Sequence, residues 1–169
     1  MVANEESTLP QTDINSLSDD ARIWIFGISP ALDAAKRARM LEDVDRFLRD
    51  WAAHNVPVTS AREILHDSFL LIAVDKRSET SGCSIDRMFG LLRQLERDLG
   101  VAILDPQRVF VRGGGAMTRD QFRNTANADT IVFDTLAERL GDVRGGGWER
   151  RAGESWHAKL LQRSDRLSA

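Results

Sequence analysis

Phe69-Leu70-Leu71-Ile72-Ala73-Val74-Asp75 is an unbroken apolar run closed by a carboxylate. It is short, and it lies between a turn at His66-Asp67-Ser68 and a polar loop at Lys76–Ser81. Such a run reads as a strand covered on both faces. Arg22–Ser29 (RIWIFGIS) reads the same way, and Thr59–Leu65 is a weaker, more polar strand. Between the first two strands, Leu41, Val44, Leu48 and Trp51 recur at helical spacing, with Met40 and Phe47 widening the stripe. That helix spans about residues 32–54; Pro30 favours its start and Asn55-Val56-Pro57 stops it. Ile85, Met88, Leu92, Leu95 and Leu99 mark a second amphipathic helix, closed by Gly100 as a left-handed cap. Val109–Arg112 is a short strand.

The resulting order, β-α-β-β-α-β, predicts an α+β protein with a ferredoxin-like antiparallel sheet over residues 22–112. In that topology the first and third strands are central, and these are the two apolar ones here. Two helices cover only one face, so residues 116–163, or a second subunit, must cover the other. The C-terminal part reads as an α/β extension: a short helix at Thr118–Asn124, a strand at Ile131–Phe133, a weak helix near Leu136–Leu140 and a last turn at Trp156–Leu161. Residues 1–20 are polar, acidic and aperiodic and read as a flexible tail. Residues 21–163 form one domain, and 164–169 read as a frayed end.

Net charge is −3, from 23 basic and 26 acidic residues, so no global basic field draws the chain to nucleic acid. No apolar run approaches the roughly 20 residues that span a bilayer. The N-terminal residues show no basic-then-apolar leader pattern, and one cysteine makes no internal disulfide; both point to a cytoplasmic protein. Three histidines and one cysteine, widely spaced, indicate no metal site, and no cofactor motif occurs.

The lone cysteine lies at a strand-to-helix junction, Ser81-Gly82-Cys83-Ser84-Ile85-Asp86. Unpaired N–H groups and the positive end of a helix dipole favour a thiolate there. The expected topology brings His54, Asp75, Cys83, Asp86 and Arg112 to one end of the sheet, with His66 at the other. Cys83 with His54 is then a candidate thiol–imidazole pair, oriented by Asp75 or Asp86. The plainer alternative is an inert buried cysteine, a first-turn aspartate and a histidine at a helix C-terminus. Ser84 reads as the helix N-cap. Ser84 at that helix start and Arg112 beside Gly113-Gly114-Gly115 are the candidates for holding an anion. Arg144, Arg150 and Arg151 around Trp148 offer charge and stacking to RNA, against the acidic balance of the chain.

Trp24-Ile25-Phe26, Trp51-Ala52-Ala53-His54, Phe69–Asp75, Ser81–Asp86 and Glu154-Ser155-Trp156-His157 together resemble a family of small uncharacterised bacterial proteins. Some of its members carry the label "ABC transporter ATPase". The resemblance spans about residues 17–162, and the SGCSID hexapeptide is its most specific element. Where the family pattern has Gly after the histidine, Asn55 stands here; both suit a helix cap. The family has no established activity, so the resemblance implies no catalytic residues. The label implies nucleotide binding, yet the chain has no Gly-x-x-x-x-Gly-Lys-Ser/Thr loop and no Walker B strand, and is too short for a cassette. The favoured expectation is a non-enzymatic interaction or regulatory module that binds a protein partner or a second copy. The alternative is a cysteine-centred enzyme or thiol sensor using Cys83 with His54.

Overall fold

The run Phe69–Val74 forms β5, and every one of its residues is buried. In the computed structural model, which describes residues 11–161, β5 is the middle strand of a three-stranded antiparallel sheet. It lies between β1 (Arg22–Gly27) and β4 (Ser60–Leu65). Arg22 and Ser60 both stand opposite Val74, and Gly27 and Leu65 both stand opposite Phe69. Alternation then sorts the side chains. Phe26, Leu70, Ile72 and Val74 face the helices; Ile23, Ile25, Phe69, Leu71 and Ala73 face away from them.

Two helices cover the first face. α1 (Ala34–Asp50) and α2 (Gly82–Leu99) contribute Met40, Val44, Leu48, Met88, Leu92 and Leu95 to one core. α1 does not start at Pro30. Asp33 caps it, its carboxylate accepting the Lys36 N–H at 2.8 Å. α2 is capped by Ser81 rather than Ser84, because the Ser81 and Ser84 side chains each accept the other's backbone N–H in a reciprocal box. Gly100, at φ 63°, ends it in the left-handed conformation.

The second face is covered by the same chain, largely by the segment expected to do so. Phe133, Leu140 and Trp148 pack on Ile25, Phe69 and Leu71, joined by Phe110 and Leu17. The expected fourth strand is the main correction. β6 (Arg108–Val111) does not extend the first sheet beside β1. It belongs to a second antiparallel sheet with β7 (Gly115–Thr118), β8 (Ile131–Phe133) and β9 (Glu149–Arg151), ordered β7-β6-β8-β9. Two features explain the departure. After Gly100 the chain keeps only one bridge to the first sheet, between Ala102 and Ser29, and Asp105 then turns it by accepting the Gln107 N–H. Phe110 next seats on the bare face of Gly27, where a Cβ would stand 2.2 Å from its ring. The strand therefore crosses over the sheet instead of lengthening it. α3 (Arg119–Thr125) and α4 (Leu140–Arg144) complete the second layer.

Residues 11–20, expected to be part of a flexible tail, are instead tied to the domain. Gln11 bridges Ser60, Asp13 caps a turn of 3-10 helix at Ile14–Ser16, and Leu17 is buried. Residues 1–10 of that tail, and the expected frayed end at 164–169, lie outside the described residues.

Candidate functional site

At the rim where β5 ends, the buried Trp51 Nε1–H donates to the Ser84 carbonyl at 2.9 Å and ties the end of α1 to the first turn of α2. Asp75 N–H donates to the Thr59 carbonyl beside them. The elements carrying His54, Asp75, Cys83 and Asp86 thus meet at one end of the sheet. Their side chains are not joined. Cys83 is exposed. His54 is not on a helix terminus: α1 ends at Asp50, and His54 (φ 52°) with Asn55 (φ 63°) forms the tip of a small hairpin. Its strands are β2 (Ala52–Ala53) and β3 (Val56–Pro57). Positive φ at both central residues is the type I′ pattern, which Asn suits at its second position. Among the described residues, the side chains of Cys83, His54 and Asp86 take no hydrogen bond or ion pair. Asp75 is committed to Arg77, whose backbone N–H and guanidinium reach it at 2.8, 3.1 and 3.2 Å. Those bonds hold its carboxyl below the usual carboxylate range.

Neither anion candidate is free. Ser84 is buried; its hydroxyl accepts the Ser81 N–H and donates to the Ser81 carbonyl. Arg112 stands at the opposite end of the sheet from Cys83, because β6 runs in the second sheet. There it pairs with Glu149 at 3.5 Å, and Glu149 also stands 3.9 Å from His66. These residues rim a cleft of about 200 Å³ floored by Phe69, Phe110 and Phe133. Trp148 is buried in that aromatic cluster and offers RNA no stacking face. His157 is buried too: Ser155 Oγ lies 2.8 Å from its Nδ1, Trp156 stacks on it, and burial lowers its pKa to about 4.

Both outer strands of the first sheet, β1 and β4, have open edges; Arg62 on β4 is paired with Asp45, whereas the arginines beside β1 are not paired with a carboxylate among the described residues. Residues of a strand direct their backbone groups alternately to either side. Ile28 N–H donates inward, to Ser68 beside β5. Ile23 N–H donates outward to the Glu138 carbonyl at 3.0 Å, and Ser29 exchanges two bonds with Ala102 at 2.9 and 2.8 Å. Between these anchors Ile25 and Gly27 also face outward, and no backbone of the described chain lies opposite them. A cleft of about 510 Å³, lined by Arg22–Phe26 and Thr135–Arg139, opens beside the Arg22 end of this edge. A wider one, about 830 Å³, opens at the Gly27 end between Phe89, Ile103, Phe110 and Leu136. They share Ile25, Phe26, Thr135 and Leu136 and so meet along the strand. Leu136 is 66% exposed, one of two large apolar residues so open among the described residues.

Four arginines line this trough: Arg22 and Arg139 at one end, Arg93 and Arg119 at the other. Among the described residues none of the four has a carboxylate partner. Arg22 lies over the Trp24 ring at 4.4 Å, and Arg119 donates to the Pro106 carbonyl at 3.1 Å. The Arg119 Nε–H and the Trp156 indole N–H are buried donors with no acceptor. Of the acidic lining residues, Asp105 is paired with Arg108, and Glu138 stands at the Arg22 end. Gly27 was the one local sign of this edge, since a glycine within an apolar strand marks close approach of another group.

Comparison with protein-family models, with curated proteins and with solved structures gives no match. Among the described residues no cluster of His, Cys, Asp or Glu could hold a metal ion, and no helix is long and apolar enough to cross a membrane.

Proposed function

We propose that the protein is a non-enzymatic interaction module that receives an extended segment of a partner protein along the free edge of β1. The observation that carries this reading is the unpaired backbone of Ile25 and Gly27, held open between two anchored bridges and flanked by clefts on both sides. An added strand would satisfy these groups through main-chain hydrogen bonds and place alternate side chains in the clefts. The covered second face of the sheet leaves the edge, rather than the apolar face, as the docking surface. The resemblance to the SGCSID family is kept with this reading and brings no activity to it.

The test is amide hydrogen exchange combined with selection from a library of random extended peptides. In the free protein, Ile25 and Gly27 are expected to exchange faster than Trp24 and Phe26, whose amides face β5. Selected peptides should slow exchange at Ile25 and Gly27, and Leu136→Asp should abolish their binding. Slow exchange at both amides in the free protein, or protection elsewhere only, would end the reading.

Exposure of Cys83 on the first turn of α2 favours a second reading, a thiol sensor paired with His54. Iodoacetamide labelling that slows in His54→Ala would support it. Labelling that is unchanged by that substitution removes the pair.

A further inference from the structure

We infer that the segment received along β1 is acidic, with carboxylates at its two ends that meet the arginine pairs at either end of the trough. The inference rests on the strand-addition reading and adds the chemistry of the partner.

Charge is the deciding observation. The chain has more acidic than basic residues, 26 against 23, and among the described residues most arginines elsewhere hold a carboxylate, among them Arg37, Arg39, Arg46, Arg77, Arg144 and Arg151. Arg49, Arg87 and Arg97 are scattered exceptions on the helices, whereas along β1 four arginines without a carboxylate partner gather around one open edge. Arg22 and Arg139 stand at the strand's start, facing one another across a backbone bridge. Arg93 and Arg119 stand at its finish, and neither has an anionic partner among the described residues. Like charges gathered around an edge that is open for pairing repel a basic strand and attract an acidic one. The Arg119 Nε–H and Trp156 indole N–H sharpen the preference at that end. Each is a buried donor lacking an acceptor, and a carboxylate supplies acceptors only.

Geometry sets the spacing. A strand rises about 3.3 Å per residue, so a hexapeptide spans about the distance between the Ile23–Glu138 bond and the Ser29–Ala102 bridge. Its middle residues would bond Ile25 and Gly27 and rest an apolar side chain on Leu136. A second copy of this chain is the wrong occupant, because its own β1 brings the same arginines.

The probes are three capped hexapeptides that share a Val-Thr-Val-Thr centre and carry Glu, Gln or Lys at both ends. Each is measured against the full chain by fluorescence anisotropy and by amide exchange. The Glu peptide should protect Ile25 and Gly27 and bind about tenfold tighter than the Gln peptide at low salt. That advantage should shrink severalfold at high salt. Arg93→Gln and Arg139→Gln, both at exposed positions, should each remove part of it without changing the fold. Equal binding of the Glu and Gln peptides, with the same two amides protected, overturns the acidic preference and leaves the edge reading standing. Tighter binding of the Lys peptide overturns it as well. Failure of all three to protect Ile25 and Gly27 overturns both.

Discussion

Gly27 shows how one missing side chain decides where a strand goes. Its bare face lets the Phe110 ring sit where a Cβ would be only 2.2 Å away. Phe110 in turn packs at a tilt against Phe69, at 4.9 Å between ring centres, in the cluster that joins the two sheets. Gly27→Ala should therefore cost about 3 kcal/mol, the upper end for overpacking a tight interior. Phe110→Leu in the same chain should recover part of that loss, which urea unfolding of the single and double variants would show. A loss below about 0.5 kcal/mol for Gly27→Ala would mean that the ring moves aside freely. His157 makes a second residue-scale case. Burial lowers its pKa from 6.5 to about 4, against the pull of Asp134 and with the repulsion of Arg150. Below pH 6.5 the unfolded chain takes up a proton that the folded chain refuses. Stability is then fully present above that value and falls by up to about 3 kcal/mol as pH drops toward 4. His157→Gln should flatten the slope of unfolding free energy between pH 6.5 and 4.5, whatever it does to stability at pH 7. Asp45 and Asp75, whose carboxyls are held low by Arg62 and Arg77, act in a separate window below the ordinary carboxylate range.

The elements whose partners are dictated by local pattern were legible, and those whose partners are distant were not. β5 and β1 follow from apolar runs, α1 and α2 from helical spacing, and Gly100 from its place after Leu99. The facing of β5 toward two layers also follows, since a strand with no polar face needs cover on both sides. β6 is different. Val109-Phe110-Val111 reads as a strand, but nothing in three residues says which sheet it joins. Its place follows from Gly27, far from it in sequence, and from the turn at Asp105 just before it, whose direction the pattern does not fix. Arg112 stands at the opposite end from the expected one for the same reason. His54 reads as a helix terminus because the apolar stripe runs to Trp51; the positive φ of His54 and Asn55 has no periodic signature. At the helix start, the SGC preceding Ser84 hid the actual cap. Ser81 and Ser84 bond one another reciprocally, and the same turn accepts the Trp51 indole N–H on the Ser84 carbonyl. Ser81→Ala should cost about 1 kcal/mol. Trp51→Phe should cost more, about 2–3 kcal/mol, because it removes the bond and leaves space in a fully buried site. Equal losses for the two variants would contradict the tie between α1 and α2.

At the scale of the whole molecule, two sheets packed face to face leave both outer strands of the first, β1 and β4, open along part of their length. Open edges invite self-association, and proteins commonly guard them with charge. Here the guard is four arginines set two at each end of β1. In a two-fold pairing of two copies, antiparallel β1 strands would bring the Arg22–Arg139 end of one against the Arg93–Arg119 end of the other. The arginine pairs of the two copies would then face one another, positive against positive. The wild-type chain should accordingly run as a monomer through this edge in light scattering. Reversing the charge at one end alone, as in Arg22→Glu with Arg139→Glu, makes the edge self-complementary: each introduced carboxylate meets an arginine of the other copy. That double variant should dimerise with rising concentration, revert to monomer at high salt, and lose the dimer when Arg93→Glu is added. The Leu136→Asp change should block the dimer as well, by placing charge over the apolar middle of the trough. A double variant that stays monomeric at high protein concentration would show that the edge is closed to a strand, and with it the docking surface assigned to the protein.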